Sequence, residues 1–210
     1  MKLIFLGAPG AGKGTQAEIL SRMCGIPTIS TGKILRDAIE NGTPTGRKAK
    51  EYVSAGKLVP DDVIIGIIKE RLAEQDCGNG YILDGVPRTI PQAEAIENGG
   101  VEIDCVLAFE IDDETIIGRM AGRRVCKACG APFHVTAKPP EKEGICDFCT
   151  GELAARDDDA PEVLKTRLKT YHEETEPLME FYTRRGILKI AENRPTVEET
   201  TAHIKEVLEL

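Results

Sequence analysis

The chain has no long apolar run, no surplus of basic residues, no internal repeat and no low-complexity linker, and each absence narrows what it can be. Nothing approaches the roughly 20 apolar residues that a membrane-spanning helix needs, so no membrane partner is expected. Lys and Arg number 27 against 35 Asp and Glu, a net charge of −8, which argues against a general nucleic-acid or membrane-surface binder. An acidic chain can still hold phosphates if its positive potential is focused in one cleft. Met1-Lys2 runs straight into an apolar segment without the pattern of a signal peptide. Without linkers, 210 residues fit one substantial domain with an insertion, large enough for a full core. Of seven cysteines, four stand in two C-x-x-C pairs, which suits a reducing compartment and a metal site better than a disulfide scaffold. A cytoplasmic location and a monomer are the expectations.

What organises the chain is Gly7-Ala8-Pro9-Gly10-Ala11-Gly12-Lys13-Gly14-Thr15. The apolar run Lys2–Leu6 before it suits a buried parallel strand. Residues Gln16–Met23 after it suit a helix, stopped at Gly25. Strand, glycine loop and helix together form a phosphate-binding context. Glycines let successive backbone N–H groups face one anion, the helix start adds positive potential, and Lys13 reaches the β/γ-phosphates. The strict pattern has Ser or Thr directly after the lysine; here Gly14 intervenes and Thr15 follows, so a hydroxyl ligand to Mg²⁺ is not assured. An ordinary glycine turn is the bland alternative.

Further strands are expected at 26–29, 81–84, 106–111 and 187–190. Helices fill the intervals: from Ser30-Thr31-Gly32 to about Asn41, from Pro44 to Gly56, 62–75, 89–97, 112–121, 161–185 kinked near Pro177, and from Val197, where Thr196 and Glu199 have capping-box spacing. Alternation of this kind implies an α/β fold: a parallel five-stranded sheet flanked by helices, with ligands at the strands' carboxyl ends. Residues 122–159 break the pattern, with four cysteines, Pro132, Pro139, Pro140 and a run of acids, and look like an inserted small domain.

Cys126-x-x-Cys129 and Cys146-x-x-Cys149, sixteen residues apart, match the spacing of a four-thiolate zinc site. Two tight turns each offer a pair of thiolates, and the closed tetrahedron they make is structural. Two disulfides or a redox pair are the rival readings; His134 is expected at the surface, and Cys24, Cys77 and Cys105 are expected to be small hydrophobes. Asp84, at the end of the third predicted strand, stands where such folds hold Mg²⁺ directly or through water, with a solvated turn residue as the alternative. Arg36, Arg88, Arg119, Arg123, Arg156 and Arg167 each fall where a loop meets an element. Phosphoryl transfer needs such planar cations to align two anionic substrates and neutralise the equatorial oxygens; any one alone is more simply a surface residue.

With these residues in view the chain resembles the adenylate kinase family, in its long-lid bacterial form with a zinc knuckle. The likeness spans the whole chain and rests on Gly7–Gln16, Ser30-Thr31-Gly32 with Leu35-Arg36, Leu58-Val59-Pro60-Asp61, Asp84-Gly85 with Pro87-Arg88, Gly122-Arg123-Arg124, and Arg156 with Asp158 and Asp159. The shifted Gly14-Thr15 is the family's own form. The resemblance implies reversible transfer of the γ-phosphoryl of Mg·ATP to AMP, giving two ADP. It implies that Gly10, Ala11, Gly12, Lys13, Gly14 and Thr15 cradle the ATP phosphates, with Arg119, Arg123, Pro132, Phe133 and Arg194 near the rest of the ATP. Thr31, Arg36, Lys57, Leu58, Val59, Gly85, Val86, Pro87, Arg88, Gln92, Arg156 and Arg167 would form the AMP site, Gln92 reading the adenine edge. Lys13, Arg88, Arg123, Arg156 and Arg167 would act on the transferring group, and Asp84 would hold Mg²⁺ through water. Residues 30–59 would be a mobile AMP-binding segment and 122–159 a zinc-binding lid, both on a core of 1–29, 60–121 and 160–210. Val86 replaces a usual aromatic, and Lys33 a frequent aspartate. Rival readings are a kinase for UMP, CMP or GMP, a zinc-knuckle nucleic-acid binder, and a GTPase-like switch. Adenine suits Gln92; Glu141, Glu143, Asp147, Glu152 and Asp157–Asp159 outweigh the basic residues of the zinc segment; and no second guanine-reading motif is evident.

Overall fold

The computed structural model describes residues 1–210. Five parallel strands form the central sheet in the order β2-β3-β1-β4-β8: β2 (Thr28–Ser30), β3 (Tyr81–Asp84), β1 (Lys2–Gly7), β4 (Cys105–Glu110) and β8 (Leu188–Glu192). Ile4 sits level with Leu83 on one side and Val106 on the other. The sheet is the expected one, with β8 running two residues further than the sequence pattern gives.

Side chains alternate between the two faces. Ile4, Leu6, Leu83, Val106 and Ala108 join one cluster with Leu178 and Tyr182. Leu3, Phe5, Ile82, Leu107 and Phe109 join the other with Leu20 and Ile204. The first face is covered by α4 (Asp61–Leu72), α5 (Ile90–Asn98) and α8 (Pro177–Arg184), the second by α1 (Lys13–Cys24) and α9 (Val197–Leu208). Phe5 and Phe109 meet with ring centroids 5.1 Å apart. Thr196 and Glu199 form the expected capping box on α9. Helix α1 begins at Lys13, three residues before the expected Gln16, because Lys13-Gly14-Thr15 already makes its first turn.

Between β2 and α4 lie α2 (Thr31–Glu40) and α3 (Pro44–Ser54). The side chains of Ser30 and Thr43 cap their first turns. The two helices approach so closely at Gly46 that a Cβ there would run into the Ala38 carbonyl. Lys33 pairs with Asp37 one turn on, 2.7 Å away.

After α6 (Asp113–Gly122) the chain makes a separate antiparallel sheet, β6-β5-β7, from β5 (Arg123–Cys126), β6 (Pro132–His134) and β7 (Leu153–Ala154). It returns as α7 (Pro161–Thr170). Between α7 and α8, Tyr171–Thr175 form one wide turn in which the Glu176 N–H bonds the Tyr171 carbonyl five residues back, at 2.9 Å. The expected irregularity near Pro177 is this turn. No helix is long and apolar enough to cross a membrane.

Candidate active site

The glycine loop lies between the carboxyl end of β1 and the first turn of α1. Gly10 and Gly12 have φ of 88° and 90°, values that a side chain strongly disfavours. A Cβ on Gly10 would also come 2.8 Å from Met120 Sδ on α6. The loop is pinned by the Ala11 N–H donating to the Ala8 carbonyl at 3.1 Å. Lys13 folds back over it, its Nζ donating to the carbonyls of Gly7 at 2.6 Å and Ala8 at 2.8 Å. Asp84, at the end of β3, stands across from Gly14: a Cβ there would be 4.0 Å from Asp84 Oδ2.

This loop forms one wall of a cleft of about 740 Å³. Gly10, Ala11, Gly12, Lys13, Gly14 and Thr15 line it, as do Asp84, Gly85, Pro87, Arg88, Arg119, Arg123, Pro132, Phe133, Arg156, Arg167 and Arg194. A smaller cavity of about 70 Å³ shares Arg36, Leu58, Gly85, Arg88, Arg156 and Arg167 with the cleft and adds Thr31, Lys57, Val59 and Gln92. The arginines scattered through the sequence therefore converge. Val86 lines neither cavity; its side chain is wholly buried in the sheet core, in the cluster that holds Leu83, because Gly85, with φ of 80°, breaks the alternation of β3 just before it.

Acids hold the cations in place. Arg123 clasps Asp159 with two nitrogens, Nε at 2.6 Å. Arg156 clasps Asp158 likewise, Nε at 2.8 Å. Arg167 Nη1 reaches both, at 3.1 Å and 3.2 Å. Burial lowers the Arg123 guanidinium to about 10, with Arg156 adding repulsion and Asp159 opposing it. Burial lowers Arg36 to about 10 as well, again reinforced by Arg156 and opposed by Asp158. Burial lowers Lys13 to about 8; Asp84 resists this, and Arg88, Arg167 and Arg123 add to it. For Asp158 burial pushes upward, but Arg156, Arg167 and Arg36 overcome it and hold the carboxyl at about 2. The cleft thus carries more positive charge than two aspartates balance, and its chemistry is that of a receptor for polyanions.

Cys126, Cys129, Cys146 and Cys149 bring their sulfurs within 4.8 Å of one another. Cys126 and Cys149 lie 3.4 Å apart and Cys129 and Cys146 3.6 Å apart. Four thiolates about 2.3 Å from one Zn²⁺ have edges of nearly this length, so the donor set fits a structural zinc. Around it Phe133 and Leu153 complete a small core with Cys126 and Cys146. His134 is no ligand. The Thr136 and Ala137 N–H groups donate to its Nδ1 at 3.1 Å and 3.0 Å, so Nε2 carries the proton given to the Arg119 carbonyl at 3.0 Å.

Two further polar links bear on the cleft and its rim. Asn193, just past β8, accepts from Arg119 Nη2 at 3.0 Å and donates to the Ala11 carbonyl at 3.3 Å, tying α6 to the glycine loop. Lys138 reaches across to Glu18 on α1, at 3.3 Å, beside Arg22, which stacks on Phe148 at 4.5 Å. An isolated asparagine or lysine carries no motif, so only the folded chain exposes such partners.

A glycine loop at a helix start, opening on a cleft ringed by guanidinium groups, defines a P-loop phosphotransferase fold and site. The profile of a family described as adenylate kinase matches residues 5–187. The adenylate kinase of Caldicellulosiruptor saccharolyticus is 55% identical over 212 aligned residues, covering 99% of each chain. That of Acetivibrio thermocellus is 51% identical over 99% of this chain and 96% of its own. That of Carboxydothermus hydrogenoformans is 47% identical over the full length of both. The chain belongs to the adenylate kinase family.

Proposed function

We propose that the protein catalyses reversible, Mg²⁺-dependent transfer of the γ-phosphoryl of ATP to AMP, giving two ADP by direct in-line displacement. The observation that carries this is the single cleft in which Lys13, Arg36, Arg88, Arg119, Arg123, Arg156 and Arg167 converge. A single triphosphate would need fewer cations; two nucleotides meeting phosphate to phosphate would use them all.

In this reading Gly10–Thr15 receive the β/γ-phosphates of ATP, and Arg119, Pro132, Phe133 and Arg194 flank its nucleoside. The smaller cavity takes AMP: Thr31, Lys57, Leu58, Val59 and Gln92 around the nucleoside, with Arg36, Arg88, Arg156 and Arg167 on its phosphate. Gly85, Val86 and Pro87 contribute backbone, since the Val86 side chain is in the core. Arg123 joins Arg88, Arg156 and Arg167 around the group in flight. Mg²⁺ arriving with ATP would offset phosphate charge, and Asp84 is the carboxylate placed to hold it through water. Zn²⁺ on the four cysteines would be structural, keeping residues 122–159 one rigid lid over a core of 1–29, 60–121 and 160–210. Closure of that lid and of residues 30–59 would exclude water, which otherwise accepts the phosphoryl. A monomer working in the cytoplasm, without nucleic-acid or membrane partners, completes the reading.

Coupled measurement of ADP formation from MgATP and AMP, with metal analysis of the same sample, is the test. The expected result is ADP formation that requires AMP, and one zinc per chain. ATP consumption at the same rate without AMP would refute it.

A further inference from the structure

Gln92 is almost completely buried on α5, yet it lines the smaller cavity. Its carboxamide is held from two sides. Nε2 donates to Asp61 Oδ1 at 2.6 Å, and Oε1 accepts the Arg88 backbone N–H at 2.8 Å. Asp61 is itself fixed: its Oδ2 accepts from Thr89 Oγ1 at 3.3 Å, and Thr89 Oγ1 caps α5 by accepting the Gln92 N–H at 3.2 Å. Asp61 opens α4, where its charge is favoured by the helix start. It lines neither cavity.

The two partners leave the amide one orientation. A carboxylate only accepts and a backbone N–H only donates. Turned over, Gln92 would set oxygen against the Asp61 carboxylate and NH₂ against the Arg88 N–H. In the orientation found, one N–H and one oxygen lone pair remain free at the cavity wall. They form a donor and an acceptor in fixed order. A 6-aminopurine offers an N–H donor beside a ring-nitrogen acceptor; a 6-oxopurine offers a carbonyl acceptor beside a ring N–H donor. The first edge pairs with the amide as fixed, and the second pairs only with the amide reversed.

We propose that Asp61 is a specificity-positioning residue: by holding Gln92 in one orientation, it makes the monophosphate site select a 6-amino over a 6-oxo purine. This rests on the placement of AMP in the smaller cavity given above. It separates binding a purine from choosing between purines, and assigns the choice to a side chain outside the cavity.

The test compares wild type, Asp61→Leu and Asp61→Asn, reading the KM for AMP, the inhibition constant of inosine 5′-monophosphate against AMP, and the KM for MgATP. For Asp61→Leu the expected result is a preference for AMP over inosine monophosphate narrowed about tenfold, with the KM for MgATP unchanged. Asp61→Asn keeps an acceptor oxygen and should restore most of the preference. AMP and inosine monophosphate weakening together in Asp61→Leu would overturn the proposal, since a merely structural carboxylate would do that. Gln92→Leu separates the two readings: if it leaves the KM for AMP unchanged, the placement of AMP fails, whereas an effect there with none in Asp61→Leu refutes Asp61 alone. Should Asp61→Leu not fold, ¹⁵N NMR of the wild type decides. One Gln92 side-chain proton should be protected from solvent exchange without nucleotide; both exchanging freely would refute the lock.

Discussion

Raising the pH from 7 to 9 should weaken ATP binding about tenfold, and the cause should be Lys13. Its ammonium is lowered to about 8 by burial, with Asp84 opposing and Arg88, Arg167 and Arg123 assisting. The empty site therefore holds about nine-tenths of its lysines charged at pH 7, half at pH 8 and about one-tenth at pH 9. Phosphate oxygens favour the charged form, so the lysine of the complex stays protonated throughout. Affinity is therefore nearly complete at pH 7 and falls as the pH rises through 8, in proportion to the charged fraction. Arg36 and Arg123, at about 10, keep their charge over the same interval. Two measurements check this. The KM for MgATP should climb about tenfold between pH 7 and 9, and calorimetry at pH 8 in buffers of different ionisation enthalpy should show uptake of about half a proton per ATP bound. Lys13→Met should abolish the uptake. A flat KM, or no proton uptake in the wild type, would show that the lysine is fully charged in the empty site and refute the reasoning.

Three further outcomes are expected. Asp158→Asn should lower stability at pH 7 by about 2 kcal/mol, or roughly 5 °C in Tm. Because the Asp158 carboxyl lies at about 2 when folded, its contribution is whole above about pH 4 and lost as the pH falls to about 2; thermal melts of the two proteins should converge there, and a constant gap would refute this. Cys146→Ser should lower Tm by about 10 °C while turnover in the cold changes much less; turnover collapsing with the fold intact by circular dichroism would contradict a purely structural metal. Gly46→Ala should cost about 2 kcal/mol in denaturant unfolding, because the new Cβ meets the Ala38 carbonyl across α2 and α3; an unchanged midpoint would mean that the two helices separate freely.

The features legible in the sequence were those with a local cause. Buried parallel strands show as apolar runs, the glycine loop as spacing, the cap of α9 as Thr196 and Glu199, and the four-cysteine cluster as two C-x-x-C turns. The three strands of residues 123–154 were not legible: each has two to four residues, too few for alternation, and cysteines take part of the small core that longer apolar strands would have announced. Convergence of the arginines could be expected only through the family likeness, because nothing local to Arg36 and Arg156 says that both reach one cleft. Which acid answers which arginine, and which way Gln92 turns, are set by residues distant in the chain. Val86 shows the reverse case: a position inside a binding motif whose side chain serves the core.

The wide turn at Tyr171–Thr175 has a consequence for the helix that contains it. Each residue advances a helix by roughly 100°, so one extra residue in a turn resets the angular phase of everything after it. Before the turn, Arg167 lines the cleft; after it, Leu178 and Tyr182 are buried in the core on one face of the sheet, and within it the Thr175 hydroxyl donates to the Arg88 carbonyl at 2.8 Å. A regular helix of the same residues would carry Leu178 and Tyr182 about 100° further round, so with Arg167 kept on the cleft the tyrosine would turn away from the sheet. The bulge therefore lets one continuous rod serve two directions.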